Sequence, residues 1–369
     1  MTTATQVPFV DLQAQYEQIR TDVDRAMRQV IDRGDFIHGS AVARFESDFA
    51  AYIGVSHAIG VGNGGDAIEL ALRAFDVGPG DEVITAANTF IATVLAISAT
   101  GARPVLVDMD RESYTIDPAA IGAAVTPRTR AIVPVHLYGQ PADIEAVLAV
   151  ASRHNLVVIE DAAQAHGARV NGRRAGAFGH AAAFSFYPSK NLGAYGDAGI
   201  VVTDDGRAAE KLRLLGNYGQ RVKYEHAVEG RNSRLDTMQA AVLAVKLPHL
   251  DRWNAARRAH AETYRARLLR RVHTPATRSG VEHVFHLYVI ETEQRDRLRE
   301  KLSERGVHTG IHYPVPVHLQ DAYASLGYRT GAFPATEAAA RRTLSLPMYA
   351  ELTDERIEYV CEAIDASLD

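Results

Sequence analysis

Apolar positions at steps of three and four open the chain. Leu12, Tyr16, Ile19, Val23, Met27 and Val30 form one stripe behind Asp11, which is suited to cap a helix, and Gly34 is placed to end it. A second helix is predicted around Val42 to Ile53, closed by Gly54. Short apolar runs then alternate with helical stretches. "HAIGVG", "DEVITA", "PVLVDM", "AIVPVHLYG" and "LVVIED" read as strands. "GDAIELALRAF", "FIATVLAISATG", "DPAAIGAAV" and "ADIEAVLAVASRHN" read as the helices between them. Strands apolar on both faces belong in a parallel-rich sheet covered by helices on both sides. "AAAFSFY" and "AGIVVT" add two more strands, for a mixed seven-stranded sheet.

After Thr203 the pattern changes. Helical spacing dominates from Gly206 to Arg271, with Pro248 starting a new helix or kinking a long one. From Val284 a smaller α+β pattern follows. It has a strand "VFHLYVI", a helix "RDRLREKLSERG", a strand "VHTGIHY" and two closing helices after Pro334 and Thr353. A boundary near residue 250 is expected to divide a large domain (1–250) from a small C-terminal α+β domain (251–369).

Composition narrows the classes. The chain has 369 residues, 47% of them hydrophobic, enough for a large core. The formal charge is −5, and Arg173-Arg174, Arg257-Arg258 and Arg341-Arg342 are isolated basic pairs, so no nucleic-acid partner is expected. Cys361 is the only cysteine, which excludes a disulfide framework and a cysteine metal cluster and fits a reducing compartment. The beginning "MTTATQVPFVDLQ" has no basic segment leading into an apolar core, so a cytoplasmic location is expected. The longest uncharged run, Val83 to Ala102, carries Thr85, Asn88, Thr89, Thr93, Ser98 and Thr100. It therefore reads as a strand and a buried helix, with no membrane span.

Candidate chemistry gathers where parallel strands end. The glycine-rich turn Gly62 to Gly65 opens onto a helix, and free N–H groups with the helix dipole suit a phosphate there. A nicotinamide fingerprint would also want an acid at the far end of the next strand, and that end reads "TAAN". A turn needing only positive φ is the structural alternative. Asp161 ends the apolar strand "LVVI" and is either a helix cap or the partner of a cationic ring nitrogen. Gln164 and His166 follow it as polar groups able to meet a ligand. Phe90 is a platform for a flat ring, or simply core.

Between the last two strands, "AAFSFYPSKNLGAYGDAGIVV" places one lysine, Lys190, on a loop longer than most connections. It reads as a solvated lysine, a short-chain dehydrogenase lysine, a class I aldolase lysine, or an amine that holds pyridoxal phosphate. Tyr187 and Lys190 are three apart beside a proline, which excludes the dehydrogenase pattern. An aldolase needs no phosphate turn. Only pyridoxal phosphate uses the amine, the carboxylate, the glycine turn and the aromatic together. The small residues around Lys190 are expected to let it move between two positions.

These residues resemble the DegT/DnrJ/EryC1/StrS family of fold-type-I sugar aminotransferases. The resemblance covers nearly the whole chain through "PFVDLQAQY", "GNGGDAIELALRA", "GDEVITAANTFIAT", "PVHLYGQPAD", "VIEDAAQAHGA", "FSFYPSKNLGAYGDAG", "NSRLDTMQAAVLAVKL" and "HYPVPVH". It implies a large parallel-rich αβα sandwich with a smaller α+β domain. It implies Lys190 as the Schiff-base lysine of pyridoxal 5'-phosphate, with pyridoxamine 5'-phosphate as the second cofactor form, and Asp161 on the pyridine nitrogen. Phe90 would stack on the ring, Gln164 would approach its phenolic oxygen, and Ser185 with the Gly64, Gly65 and Asp66 turn would hold the phosphate. Asn232 matches an asparagine that reaches the phosphate from a partner subunit, implying a homodimer with shared sites. Gly65 departs from the family, which often has Thr or Ser there, so one hydroxyl is missing from the phosphate cup.

The reaction implied is transamination of a nucleotide-linked keto-deoxysugar, with L-glutamate as amino donor, giving an amino-deoxysugar for antibiotic or surface-glycan biosynthesis. "NYGQRVKYEH", "GRNSRLD" and "HYPVPVH" resemble members that aminate C3 of dTDP-3-keto-6-deoxyhexoses. Lys223, Tyr224, Arg231 and His318 are candidates for the pyrophosphate, and Tyr187, His312 and Tyr313 for the sugar. Amination at C4, a cyclitol substrate and a non-catalytic sensor are the alternatives. Members that dehydrate the sugar replace the lysine by histidine, and here the lysine is present.

Overall fold

In the computed structural model, which describes residues 6–368, the helices start and stop where local chemistry directs. Helix α1 (Leu12–Arg33) is capped by Asp11, whose carboxylate accepts from the Ala14 N–H at 2.9 Å, and Gly34 ends it in the left-handed region. Helix α2 (Ser40–Ile53) ends the same way at Gly54.

Seven strands make the central sheet: β1 (His57–Val61), β2 (Glu82–Ala86), β3 (Arg103–Val107), β4 (Thr129–Val133), β5 (Val157–Asp161), β6 (Ala181–Ser185) and β7 (Gly199–Thr203). Their order is β1-β7-β6-β5-β4-β2-β3, and only β7 runs antiparallel to its neighbours. Helices α3 (Gly64–Ala74), α4 (Ile91–Ala99), α5 (Pro118–Ala124) and α6 (Ile144–His154) are the crossovers. Alternation along β6 explains the two-sided core. Ala182 and Phe184 pack with Phe45 and Phe49 of α2, while Ala181 and Ala183 pack with Ile68 and Leu72 of α3. Pro134 lacks a ladder donor and follows directly on the end of β4.

Beyond β7 the sequence reading is partly corrected. Helix α7 (Gly206–Gly216) forms, but the next segment is a hairpin of β8 (Gln220–Val222) and β9 (Glu225–His226), not helix. Tyr218, Gly219 and Tyr224 adopt positive φ there, which breaks helical spacing. Helices α8 (Thr237–Lys246) and α9 (Leu250–Leu268) are separated by a single turn at Pro248. In the C-terminal part, β10 (Tyr288–Glu291) is shorter than "VFHLYVI", and its antiparallel partner is β11 (Thr343–Leu346). The segment "VHTGIHY" makes only isolated bridges, Val307 with Val7 and Gly310 with Ser345. Helices α10 (Arg295–Glu304), α11 (Pro334–Arg342) and α12 (Asp354–Leu368) cover that pair. Helix α9 joins the two cores: Leu250 packs under the large sheet, and Tyr264 and Leu268 pack with Tyr288, Ile290 and Ile364. Among the described residues no helix is long and apolar enough to cross a membrane.

Glu160, next to last in β5, is wholly buried. It accepts from His136 Nε2 at 2.9 Å, Gly176 N at 2.8 Å, and Phe178 and Gly179 N at 2.7 Å each. Burial alone would raise its pKa. The His136 and backbone donors outweigh burial and hold it below the usual 4.5. A carboxylate depressed on folding stabilises above its unfolded pKa, and that stabilisation is lost as pH falls through the folded value. Glu160→Gln should cost about 3 kcal/mol or more at pH 7, because it breaks a buried charged cluster. In urea unfolding the gap between wild type and variant should narrow as pH drops below 4.5.

Candidate active site

The carboxyl ends of β1, β2, β5 and β6 converge on one cavity of about 500 Å³, closed on its far side by His286, His312 and Tyr313. At one end stands the N-terminus of α3. Asn63 caps it, its Oδ1 accepting from Asp66 N at 2.8 Å. The N–H groups of Gly64 and Gly65 occupy the first helical positions and have no acceptor among the described residues. Ser185 lies against Gly64 so closely that a Cβ there would stand 2.6 Å from Ser185 Cβ. Ser185 Oγ accepts from Tyr187 N at 3.3 Å, which leaves its proton free to donate. At Gly65 an added Cβ would meet only Asn63 Oδ1 at 3.3 Å and Ala92 Cβ at 3.9 Å, so the missing hydroxyl leaves space in the cup.

Asp161 ends β5 on the face opposite Glu160. Its carboxylate accepts from Thr93 Oγ1 at 2.8 Å and Ala163 N at 3.2 Å. Burial raises its pKa, and the two donors and the Lys190 charge do not cancel the rise. A carboxylate this poorly compensated fits a further cationic partner in the cavity. Gln164 is oriented by Tyr138, whose N–H donates to Oε1 at 2.7 Å, so its Nε2 is the group turned toward Tyr313, at 3.3 Å from the hydroxyl. Phe90 precedes α4 with its ring half-exposed at the cavity, 5.1 Å from the ring of Tyr313.

Lys190 faces the cavity from the loop between β6 and β7. Burial lowers its pKa to about 8, against the attraction of Asp161. The loop itself is not mobile packing. Asn191, Leu192 and Ala194 are buried. Lys190 N and Ala194 N donate to Tyr187 O and Phe186 O, each at 2.8 Å. The buried Lys246 of α8 donates to Gly193 O at 2.7 Å, and any Cβ at Gly193 would overlap the Pro188 carbonyl. The small residues serve close packing, and freedom of movement is left to the lysine side chain.

Tyr187, His312 and Tyr313 line the same cavity. Burial, with the nearby Lys190 charge, lowers the His312 pKa to about 4, so its ring is neutral. Burial raises the Tyr313 hydroxyl. Other candidates lie elsewhere. Asp66 turns its carboxylate away, to Ser233 Oγ at 2.6 Å and Arg231 at 2.9 Å. Arg231 is held by that pair and by Glu69, which removes it from the mouth of the site. His318 is sealed in the core, its Nε2 3.0 Å from Glu337 and its ring edge-on to Phe333, so it does not reach a ligand. His166 is buried against Phe184 and Phe186 and does not line the cavity. Lys223 and Tyr224 project on the exposed β8–β9 hairpin, and Asn232 is exposed away from its own cavity.

Sequence reasoning missed Thr93 as the partner of Asp161, although a threonine inside the apolar run "FIATVLAISA" was a signal. It also missed His286, which only the return of the C-terminal part brings to Lys190. Among the described residues no three His, Cys, Asp or Glu side chains are grouped to hold a metal. The amine, the under-compensated carboxylate, the open N–H groups and the aromatic wall together are the set that pyridoxal 5'-phosphate requires.

The family model described as DegT/DnrJ/EryC1/StrS aminotransferase matches residues 17–365. A Streptomyces venezuelae protein, dTDP-3-amino-3,4,6-trideoxy-alpha-D-glucose transaminase, is 51% identical over 97% of this chain and 95% of its own. A Geobacillus stearothermophilus protein named pleiotropic regulatory protein is 53% identical over 97% of both chains. The crystal structure of S. venezuelae DesV in complex with a ketimine intermediate superposes with a TM-score of 0.96 at 50% identity, covering 98% of each chain.

Proposed function

The chain belongs to the DegT/DnrJ/EryC1/StrS aminotransferase family, and from that premise we propose that it aminates C3 of a dTDP-linked 3-keto-6-deoxyhexose, with L-glutamate as donor. It is a pyridoxal-phosphate-dependent sugar aminotransferase. The observation that carries the residue assignment is Asp161, a buried carboxylate left short of positive charge, facing the same cavity as Lys190.

When bound, pyridoxal phosphate supplies an electron-accepting ring and a carbonyl that receives the amino group. Asp161 would hold the proton on the ring nitrogen, kept in place by Thr93 and Ala163. Gly64 and Gly65 N–H groups and the Ser185 hydroxyl would bind the phosphate. Phe90 would back the ring, and Gln164 Nε2 would donate toward its phenolic oxygen. Lys190 would carry the cofactor and then move protons at Nζ. With a pKa of about 8, about half of the free amine is neutral at pH 8. Tyr187, His312 and Tyr313 are the groups offered to the sugar. The C3 assignment rests on the name of the S. venezuelae relative and on the resemblance of "HYPVPVH" to members that aminate C3. The regulatory name of the Geobacillus relative is the basis for a sensor reading. Retention of Lys190 and Asp161 in one cavity favours catalysis.

We assign Asn232, Lys223 and Tyr224 to the site of a second copy of this chain, since all three are exposed and none lines its own cavity. The enzyme would then be a homodimer with shared sites. The single cysteine supports a cytoplasmic location.

Purified enzyme offered a panel of nucleotide keto-sugars with glutamate should turn over the dTDP-3-keto substrate fastest, and a preference for a 4-keto sugar would refute the regiochemistry. Borohydride treatment of the coloured holoenzyme, followed by peptide mapping, should leave the covalent adduct on Lys190. An adduct on another lysine ends that assignment. Mixing Lys190→Ala and Asn232→Ala chains, each inactive alone, should restore part of the activity, one intact site per mixed dimer. No recovery despite proven subunit exchange counts against the shared site.

A further inference from the structure

Two hydrogen bonds tie the wall residues His312 and Tyr313 to the strand-end side of the cavity, and both depend on Tyr138. The Tyr138 hydroxyl donates to the His312 carbonyl, which has no other donor among the described residues. The Tyr138 N–H donates to Gln164 Oε1 at 2.7 Å, which fixes the amide so that its Nε2 donates to the Tyr313 hydroxyl at 3.3 Å. The other hydrogen bonds of this segment run to β11. His312 Nδ1 lies 2.9 Å from Ser345 Oγ, and Gly310 pairs with Ser345 through N–H and carbonyl at 3.0 and 2.8 Å. Strand β11 thus fixes the wall to the C-terminal part, and Tyr138 fixes it to the strand ends.

Tyr138 is itself held from several sides. It sits in the short turn Leu137–Gly139 after β4 with φ 60°, in the left-handed region that a residue with a β-carbon enters only at a cost. Such a conformation persists where the surroundings over-determine it. Leu287 N and Val284 N donate to the carbonyls of Tyr138 and Gly139 at 3.2 and 3.0 Å, and a Cβ at Gly139 would stand 2.9 Å from His286 N. The buried ring packs 5.6 Å from that of Tyr114, whose hydroxyl donates to Glu291 Oε1 at 2.6 Å. Burial, with Tyr313 and Glu291 nearby, raises the Tyr138 phenol above its ordinary pKa, so it stays a donor at neutral pH.

Tyr138 does not line the cavity of Lys190, so it reaches a ligand there only through other residues. Resting on the reading of His312 and Tyr313 as groups offered to the sugar, we infer that Tyr138 is the positioning residue of that wall. It holds His312 through its hydroxyl and Tyr313 through Gln164, and so sets the affinity for the sugar. Removing the hydroxyl alone leaves the ring, the turn and the hold on Gln164 in place, and leaves the buried His312 carbonyl without a donor. The loss therefore falls on the sugar wall and spares the cofactor end of the cavity.

The test compares Tyr138→Phe with Tyr114→Phe, which removes the neighbouring hydroxyl of the same aromatic pair without touching the wall. In holoenzyme without sugar, hydrogen–deuterium exchange of the peptide 308–319 should be faster in Tyr138→Phe and unchanged in Tyr114→Phe. With the keto-sugar that the panel assay turns over fastest, Tyr138→Phe should raise KM about tenfold and change kcat less than about twofold, since uniform binding is what is lost. Glutamate's conversion of the coloured cofactor, followed by absorbance, should keep its wild-type rate within about twofold. Unchanged exchange in Tyr138→Phe overturns the inference, whichever sugar the panel selects. Equal loss in both half-reactions, or the same KM change in Tyr114→Phe, overturns it as well by reducing the hydroxyl to a general support of the fold. Faster exchange with an unchanged KM would instead remove His312 and Tyr313 from the sugar reading, so the two failures are told apart.

Discussion

Two adjacent carboxylates, Glu160 and Asp161, are buried at the end of β5, and the rest of the molecule is arranged around the cost of keeping them there. Successive strand residues point to opposite faces, so the two meet different surroundings. Glu160 is answered within the chain by an imidazole and three backbone N–H groups, and its pKa falls. Asp161 receives one hydroxyl and one N–H, and its pKa rises. The first carboxylate ties the turn at 176–179 and the segment after β4 to the sheet. The second is left with a deficit of positive charge that faces a cavity. A folded chain tolerates such a deficit where a ligand is to supply the missing charge.

The same division between what is held and what is left open recurs at Lys190. Its loop is tied on one side by Lys246 at Gly193 and on the other by Asn191 to Asn254 and Val284. The backbone under the reactive amine is therefore as fixed as the sheet edges that flank it. Fixing the backbone limits the motion of the amine to side-chain rotation, which keeps its reach defined. Two buried lysines, both with pKa lowered to about 8 by burial, have opposite tasks here. Lys246 spends its protons on a carbonyl and a tyrosine ring, while Lys190 keeps its amine free.

The C-terminal part completes the cavity without supplying the phosphate end. His286, His312 and Tyr313 arrive from segments that pack on α9 and on the β10–β11 pair, far in sequence from the strand ends they face. The cross-connections are polar. Asp108 after β3 accepts from Ala335 N and Thr336 N at 2.9 Å each, capping α11 from the large sheet. Arg257 of α9 donates to the carbonyls of Phe285, His286 and Met348. These bonds set the distance between the wall that offers His312 and the strand end that offers Asp161.

Much of this was legible in the chain alone, for reasons local to it. Uninterrupted apolar runs between amphipathic stretches specify a parallel sheet with two covered faces, and Asp11, Gly34 and Gly54 mark helix ends by cap and left-handed geometry. Lys190, Asp161, the Gly64-Gly65 turn and Phe90 stand at strand ends, where topology brings them together whatever the side-chain detail. The hairpin at 220–226 was hidden because two of the three positive-φ residues that shape it, Tyr218 and Tyr224, are tyrosines, and only Gly219 is a glycine. His318 was misplaced because motif proximity cannot distinguish a site histidine from one paired in the core with Glu337. Thr93, His286 and the Asn191–Asn254 relay were decided only in three dimensions. A side chain's partner depends on which distant backbone carbonyl or carboxylate the packed fold places within hydrogen-bond reach, and no periodicity along the chain encodes that distance.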